Sequence, residues 1–135
     1  MSSRCILHVE DDEDYACLLK RAFEKAGITN PVRVAGDGQV ALDFLAGTGP
    51  YADREKYPLP CLVLLDLHLP AVPGLAVLEW IRLQPALYGL VVIVISSLAH
   101  PTDIARAHDL GANFFLEKPP DFRQMVEFAR LLKNR

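Results

Sequence analysis

Short apolar runs alternate along this chain with segments of helical period, and that alternation limits the fold more than any other feature. Residues 5–9, 32–35, 61–65, 90–95 and 113–117 read as strands. The run 90–95 is β-branched and apolar on both faces, as a central parallel strand must be when helices cover it above and below. Helices are predicted over 14–26, 38–46, 74–83 and 101–110, with a last one after Asp121. Their apolar residues recur at helical spacing: Leu18, Leu19, Ala22, Phe23 and Ala26 in the first, and Phe122, Met125, Val126, Ala129 and Leu132 in the last. Gly27 and Gly111 supply stops, and Asp37 and Asp121 supply caps. Strands alternating with helices in this way predict an α/β fold, a parallel sheet covered on both faces. Residues 47–60 read as a long loop, and loops of that length are uncommon unless they do something.

A chain of 135 residues suits a single domain, 1–135. The formal net charge is -3, with Lys and Arg scattered and no basic stripe, so nucleic acid is not an expected partner. The longest apolar run, Leu90 to Ile95, is far too short to span a bilayer. The start Met1-Ser2-Ser3-Arg4 lacks the apolar region of a signal peptide, so a cytoplasmic location without a membrane partner is expected. Cys5, Cys17 and Cys61 have no metal-ligand spacing and read as buried free thiols in a reducing compartment.

In an open parallel sheet, ligands bind outside the carboxyl ends of the strands, where strand order reverses. The residues just past the strand ends are therefore the candidates. Glu10, Asp11 and Asp12 follow the first strand, Asp66 the third, Ser96 and Ser97 the fourth, and Lys118 with Pro119 the fifth. Carboxylates converging from neighbouring strands repel one another, and desolvation raises their pKa values. A hard divalent cation relieves this, and magnesium suits a half-built site of a few carboxylates plus waters and a phosphate oxygen. Lys118 offers a point charge and Ser96 a hydroxyl, together able to hold the oxygens of a phosphoryl group carried on Asp66. Asp12 reads as a helix N-terminal charge favoured by the dipole, and His8 as a core histidine. Gly36-Asp37-Gly38-Gln39-Val40-Ala41 fits a dinucleotide fingerprint, but it follows the second strand, and the acids Asp53 and Glu55 fall in a loop.

Taken together, Ile6-Leu7-His8-Val9-Glu10-Asp11-Asp12, Leu64-Leu65-Asp66-Leu67-His68-Leu69-Pro70, Ser96-Ser97 and Glu117-Lys118-Pro119 resemble bacterial response-regulator receiver domains over essentially the whole chain. Each motif alone is weak; in register at successive strand ends they are specific. The resemblance implies a flavodoxin-like, doubly wound five-stranded parallel sheet of order 2-1-3-4-5. It implies Asp66 as the phosphorylated residue, and Asp11, Asp66, the His68 backbone carbonyl and, through water, Glu10 as the magnesium site. Ser96 and Lys118 would hold the phosphoryl group, Ser96 and Phe115 would form the switch, and Pro119 is a candidate for a cis peptide bond. The implied partners are a sensor histidine kinase, of bacteriophytochrome type for a stand-alone receiver with this long loop, and a downstream phosphorelay protein, effector or second copy.

The sequence departs from the family pattern at Ala71-Val72-Pro73-Gly74, where many relatives carry Asp before the Gly. Leu98 is apolar near the path of an attacking water, and Pro120 stiffens the turn after Lys118. Two other functions compete. A magnesium phosphatase resembling the haloacid-dehalogenase group needs Asp-x-Asp on the first strand, whereas Asp66-Leu67-His68 lies on the third. A docking module without phosphorylation would not need the intact acceptor, acid pair and lysine.

Overall fold

The computed structural model describes residues 4–98 and 100–133. The reading of the Met1 to Ser3 start lies outside the described residues. Strands β1 (Ile6–Val9), β2 (Val32–Ala35), β3 (Leu62–Asp66), β4 (Val91–Ser96) and β5 (Phe114–Glu117) form one parallel sheet in the order β2-β1-β3-β4-β5, as expected. Helices α1 (Glu13–Lys25), α2 (Gly38–Ala46), α3 (Gly74–Arg82), α4 (Pro101–Asp109) and α5 (Phe122–Lys133) connect and follow the strands. Strand boundaries differ from the sequence reading by a residue: β3 and β4 each begin and end one residue later and include Asp66 and Ser96. Apolar patterning cannot see this, because the last ladder residue of each strand is polar.

Side chains alternate across a strand, so each buried strand feeds two cores. Leu7, Val9, Val63, Leu65, Val92 and Val94 face α2, α3 and α4, where Phe44, Leu45, Val77, Leu78, Ile81 and Ala107 close over them. Ile6, Leu64, Ile93 and Ile95 face α1 and α5, against Leu19, Ala22, Phe23, Met125, Val126 and Ala129. Burying each large side chain of this kind contributes about 1.5–3 kcal/mol. Leu18 and Phe122, expected on the apolar stripes, are exposed, at 41% and 36%. The Phe122 ring instead lies 5.9 Å from Lys25 Nζ, a cation–π distance across the α1–α5 seam.

The caps read from sequence are present, Asp37 accepting from Val40 N–H and Asp121 from Gln124 N–H, and Asp12, read as an N-terminal charge, also caps, accepting from the Asp14 and Tyr15 amides. Gly74 starts α3 so close to the end of β3 that a Cβ there would strike the Asp66 carbonyl oxygen. That approach seats the start of α3 against the end of β3. The segment 47–60 is anchored by its own contacts. Arg54 donates to the carbonyls of Phe44 and Leu45 at 2.7 Å each and of Tyr57 at 3.2 Å, closing the carboxyl end of α2. Phe44, Tyr51 and Tyr57 pack tilted or edge-on against one another, with centroids 5.2–6.2 Å apart. The cysteines correct the sequence reading: Cys5 is buried, but Cys17 and Cys61 are exposed. Apolar neighbours in sequence do not set which face of an element a residue occupies.

Candidate functional site

The ladder between β1 and β3 aligns Val9 with Leu65, so the next residue on each strand, Glu10 and Asp66, emerge side by side. Glu10 is 1% exposed and Asp66 5%, while Asp11 faces solvent. One carboxylate oxygen from each of Glu10, Asp11 and Asp66 lies within 4.8 Å of the others. β5 delivers the counter-charge. The Lys118 amide donates to the Ser96 carbonyl at 2.9 Å, continuing the β4–β5 ladder and aiming the side chain back over β1 and β3.

Lys118 Nζ lies 2.8 Å from Glu10 Oε1 and 3.2 Å from Asp66 Oδ2. The second contact is an aligned hydrogen bond; the first is an ion pair at short distance without that alignment. The other carboxylate oxygens take backbone donors: Asp12 N–H reaches Glu10 Oε2 at 3.2 Å, and His68 N–H reaches Asp66 Oδ1 at 3.0 Å. Burial pushes the Glu10 carboxyl above its ordinary range; Lys118 and the Asp12 amide pull it down, and the Asp66 charge pushes it up again. Burial works against the Lys118 ammonium, but its bonds and charge interactions with Glu10 and Asp66 outweigh this and raise its pKa. One ammonium therefore contacts two buried carboxylates, and the third, Asp11, stands beside them without it among the contacts described. That deficit of positive charge, with oxygen donors only and a mouth open at Asp11, fits a hard divalent cation.

His8 is fully buried as a core histidine, yet neither ring nitrogen has a hydrogen-bond partner. Burial, aided by the Lys118 charge, lowers its pKa to about 3, so the ring is neutral and its 3.8 Å approach to Glu10 is no ion pair. Ser96 is also fully buried, at the end of β4, but its hydroxyl serves its own turn. Oγ donates to the Leu98 carbonyl at 3.0 Å and accepts from the Leu98 amide at 3.2 Å. The His68 ring reaches the same carbonyl at 3.4 Å, linking the loops after β3 and β4 across the mouth of the site. Phe115 sits on β5 beside Val94, half-buried against the α3–α4 core. Ser97 is exposed and lines a 360 Å³ cleft with Tyr15, Glu117, Lys118, Pro119 and Pro120.

Two readings need amendment. The Lys118–Pro119 bond is not cis, since no described peptide bond is. Trans is favoured for X–Pro by about 0.5–1 kcal/mol, and Tyr15 Oη donates to the Pro119 carbonyl, one residue on, at 2.8 Å. Tyr15 itself was not singled out by the sequence. Its ring centroid lies 4.3 Å from Lys118 Nζ, and burial with the charges of Glu10 and Asp66 raises its phenol pKa, keeping the hydroxyl a donor. The available signal was its place in the first turn of α1, directly above the acid cluster.

The family model described as the response regulator receiver domain matches residues 6–130. Among curated proteins, the chain is 37% identical over 129 residues to the probable methanogenesis regulatory protein FilR2 of Methanothrix harundinacea, covering 96% of this chain and 81% of that one. Among solved structures, the phosphorylated cyanobacterial phytochrome response regulator RcpA is 28% identical, with a TM-score of 0.89 over 98% of this chain and 93% of that one. The Mn(2+)-bound form of response regulator Rcp1 is also 28% identical, with a TM-score of 0.85 over 97% and 92%.

Proposed function

The chain belongs to the response regulator receiver domain family of two-component signalling, and from that premise we propose that Asp66 takes a phosphoryl group from a sensor histidine kinase. The single observation that carries this reading is the Lys118 ammonium held between Glu10 and Asp66 at the mouth of an oxygen-only acid cluster. A carboxylate oxygen of Asp66 attacks the phosphorus of a phosphohistidine. The new O–P bond forms as the N–P bond breaks, and the histidine nitrogen leaves with the electron pair. Positioning and charge supply most of the rate in such a transfer.

Glu10, Asp11, Asp66 and the carbonyl of His68 would hold magnesium, which when bound neutralises charge on the phosphoryl oxygens. Lys118 turns from the Asp66 carboxylate to a phosphoryl oxygen with little movement. Ser96 breaks its two bonds to Leu98 and donates to another oxygen, and Phe115 follows into the space beneath the β4–α4 loop. Leu98, released, swings with that loop, so α4, β5 and α5 present a changed face to a partner. The chain catalyses only its own phosphorylation and dephosphorylation and acts as a cytoplasmic switch. The likeness to a phytochrome response regulator supports a bacteriophytochrome as the cognate kinase, and the outlet is a phosphorelay protein, an effector or a second copy.

Beryllium fluoride, which mimics the acyl phosphate on a carboxylate, tests the reading. Fluorine NMR should show bound signals only when magnesium is present, and none with Asp66→Asn. Bound signals in that variant would overturn the assignment of the acceptor.

A further inference from the structure

We propose that Tyr15 is a positioning residue for Lys118, a two-point clamp that holds the ammonium over the acceptor and fixes the turn behind it. The inference rests on the phosphorylation reading for its consequence, but on geometry alone for its existence. Lys118 contacts two carboxylates, Glu10 at 2.8 Å and Asp66 at 3.2 Å. The Tyr15 ring centroid also stands 4.3 Å from Nζ, within cation–π range. With the ring and the two carboxylates around it, the Lys118 side chain is only 14% exposed. The second point is the phenol, whose proton goes to the Pro119 carbonyl at 2.8 Å. Backbone and side chain of the Lys118–Pro119 pair are therefore held by one residue of α1.

Among the described residues, no other ring lies over Lys118 and no other side chain bonds the Pro119 carbonyl. Ser97, Glu117 and Pro120 line the same cleft, but none has an aromatic face or a hydroxyl placed on that turn. A phenylalanine would keep the ring and lose the carbonyl bond; a leucine would lose both. Phosphorylation moves the negative charge from the Asp66 carboxylate to the phosphoryl oxygens, and a long side chain that must follow it has rotamer freedom to lose. The clamp keeps Nζ at the acceptor in both states.

The test uses the full chain and its Tyr15→Phe and Tyr15→Leu variants. Proton NMR of the Lys118 ε-methylene should show an upfield ring-current shift in the wild type and in Tyr15→Phe, lost in Tyr15→Leu. With acetyl phosphate at saturating magnesium, Tyr15→Leu should slow adduct formation on the order of tenfold, and Tyr15→Phe should recover it to within about threefold. Magnesium affinity, to which Tyr15 contributes no ligand, should stay within about threefold in both variants. An unshifted Lys118 methylene in the wild type, or a Tyr15→Leu rate equal to wild type, would overturn the clamp. So would equal losses in the two variants, because ring and hydroxyl would then not be separable. If the wild type takes up no phosphoryl group, the phosphorylation reading fails, and the NMR arm still decides whether the clamp exists.

Discussion

Replacing Lys118 with Met keeps most of the side-chain volume and removes the charge, leaving Glu10 and Asp66 facing each other without a counter-ion. Glu10 is 1% exposed and Lys118 14%, so solvent screens the pair poorly. Breaking a buried ion pair by removing one partner costs about 3–5 kcal/mol. The cluster opens to water at Asp11, which puts the expected loss at the lower end, about 3 kcal/mol. With a urea m-value of about 2 kcal/mol/M, the midpoint should fall by about 1.5 M in excess EDTA. Saturating magnesium should recover more stability in the variant than in the wild type, because only the variant lacks a cation between the carboxylates.

The loss should also depend on pH, and its sign follows from Glu10. A carboxyl whose folded pKa lies above its unfolded value binds more protons when folded. Its contribution is complete below the unfolded pKa and is lost as pH rises through the folded one. Burial already raises the Glu10 pKa with Lys118 in place, and removing the ammonium raises it further. The deficit of Lys118→Met should therefore shrink as pH falls from neutrality through the carboxylate range. Urea titrations at several pH values, with EDTA or magnesium, measure all of this. A variant as stable as wild type in EDTA, or a deficit that grows on acidification, would refute the reasoning.

Three further outcomes follow from the structure. Asp66→Asn removes one of the two buried like charges and should stabilise the metal-free protein by about 1 kcal/mol while weakening magnesium stabilisation, both read by thermal melts. Ala71 is exposed with φ 65°, the only described non-glycine residue in the left-handed region. Ala71→Gly should therefore gain about 0.5–1 kcal/mol, the relieved steric cost less the added unfolded-state entropy, measured by urea denaturation. Arg54→Ala strips three carbonyl bonds from the loop after α2 and should cost about 2 kcal/mol, speeding hydrogen exchange across 47–60 while leaving phosphorylation unchanged.

The covered parallel sheet was legible because residues 90–95 are apolar on both faces, as a strand between two helix layers must be, whereas the strand order came from the family resemblance. The acid cluster was legible because parallel strands all end on one side, so Glu10, Asp66, Ser96 and Lys118 had to gather there. Asp12 was legible as a helix N-terminal charge because its neighbours begin a helix, and the structure makes it the cap. What was hidden depends on orientation. Tyr15 enters the site only through the angle at which α1 crosses the sheet. The inward turn of Ser96 onto Leu98 is a choice of rotamer. Cys17 and Cys61 face outward although their neighbours are apolar. The loop 47–60 looked functional by length, and the reason for its length is structural. It carries Arg54 back to the open carbonyls of α2 and buries Tyr51 and Tyr57 around Phe44.

The most direct test of the central claim is the intact mass of the chain after incubation with acetyl phosphate, with and without magnesium, beside Asp66→Asn. The account predicts one added phosphoryl group, dependent on magnesium and absent from the variant. An equal adduct on Asp66→Asn would contradict it, as would no adduct on the wild type together with no magnesium-dependent binding of beryllium fluoride.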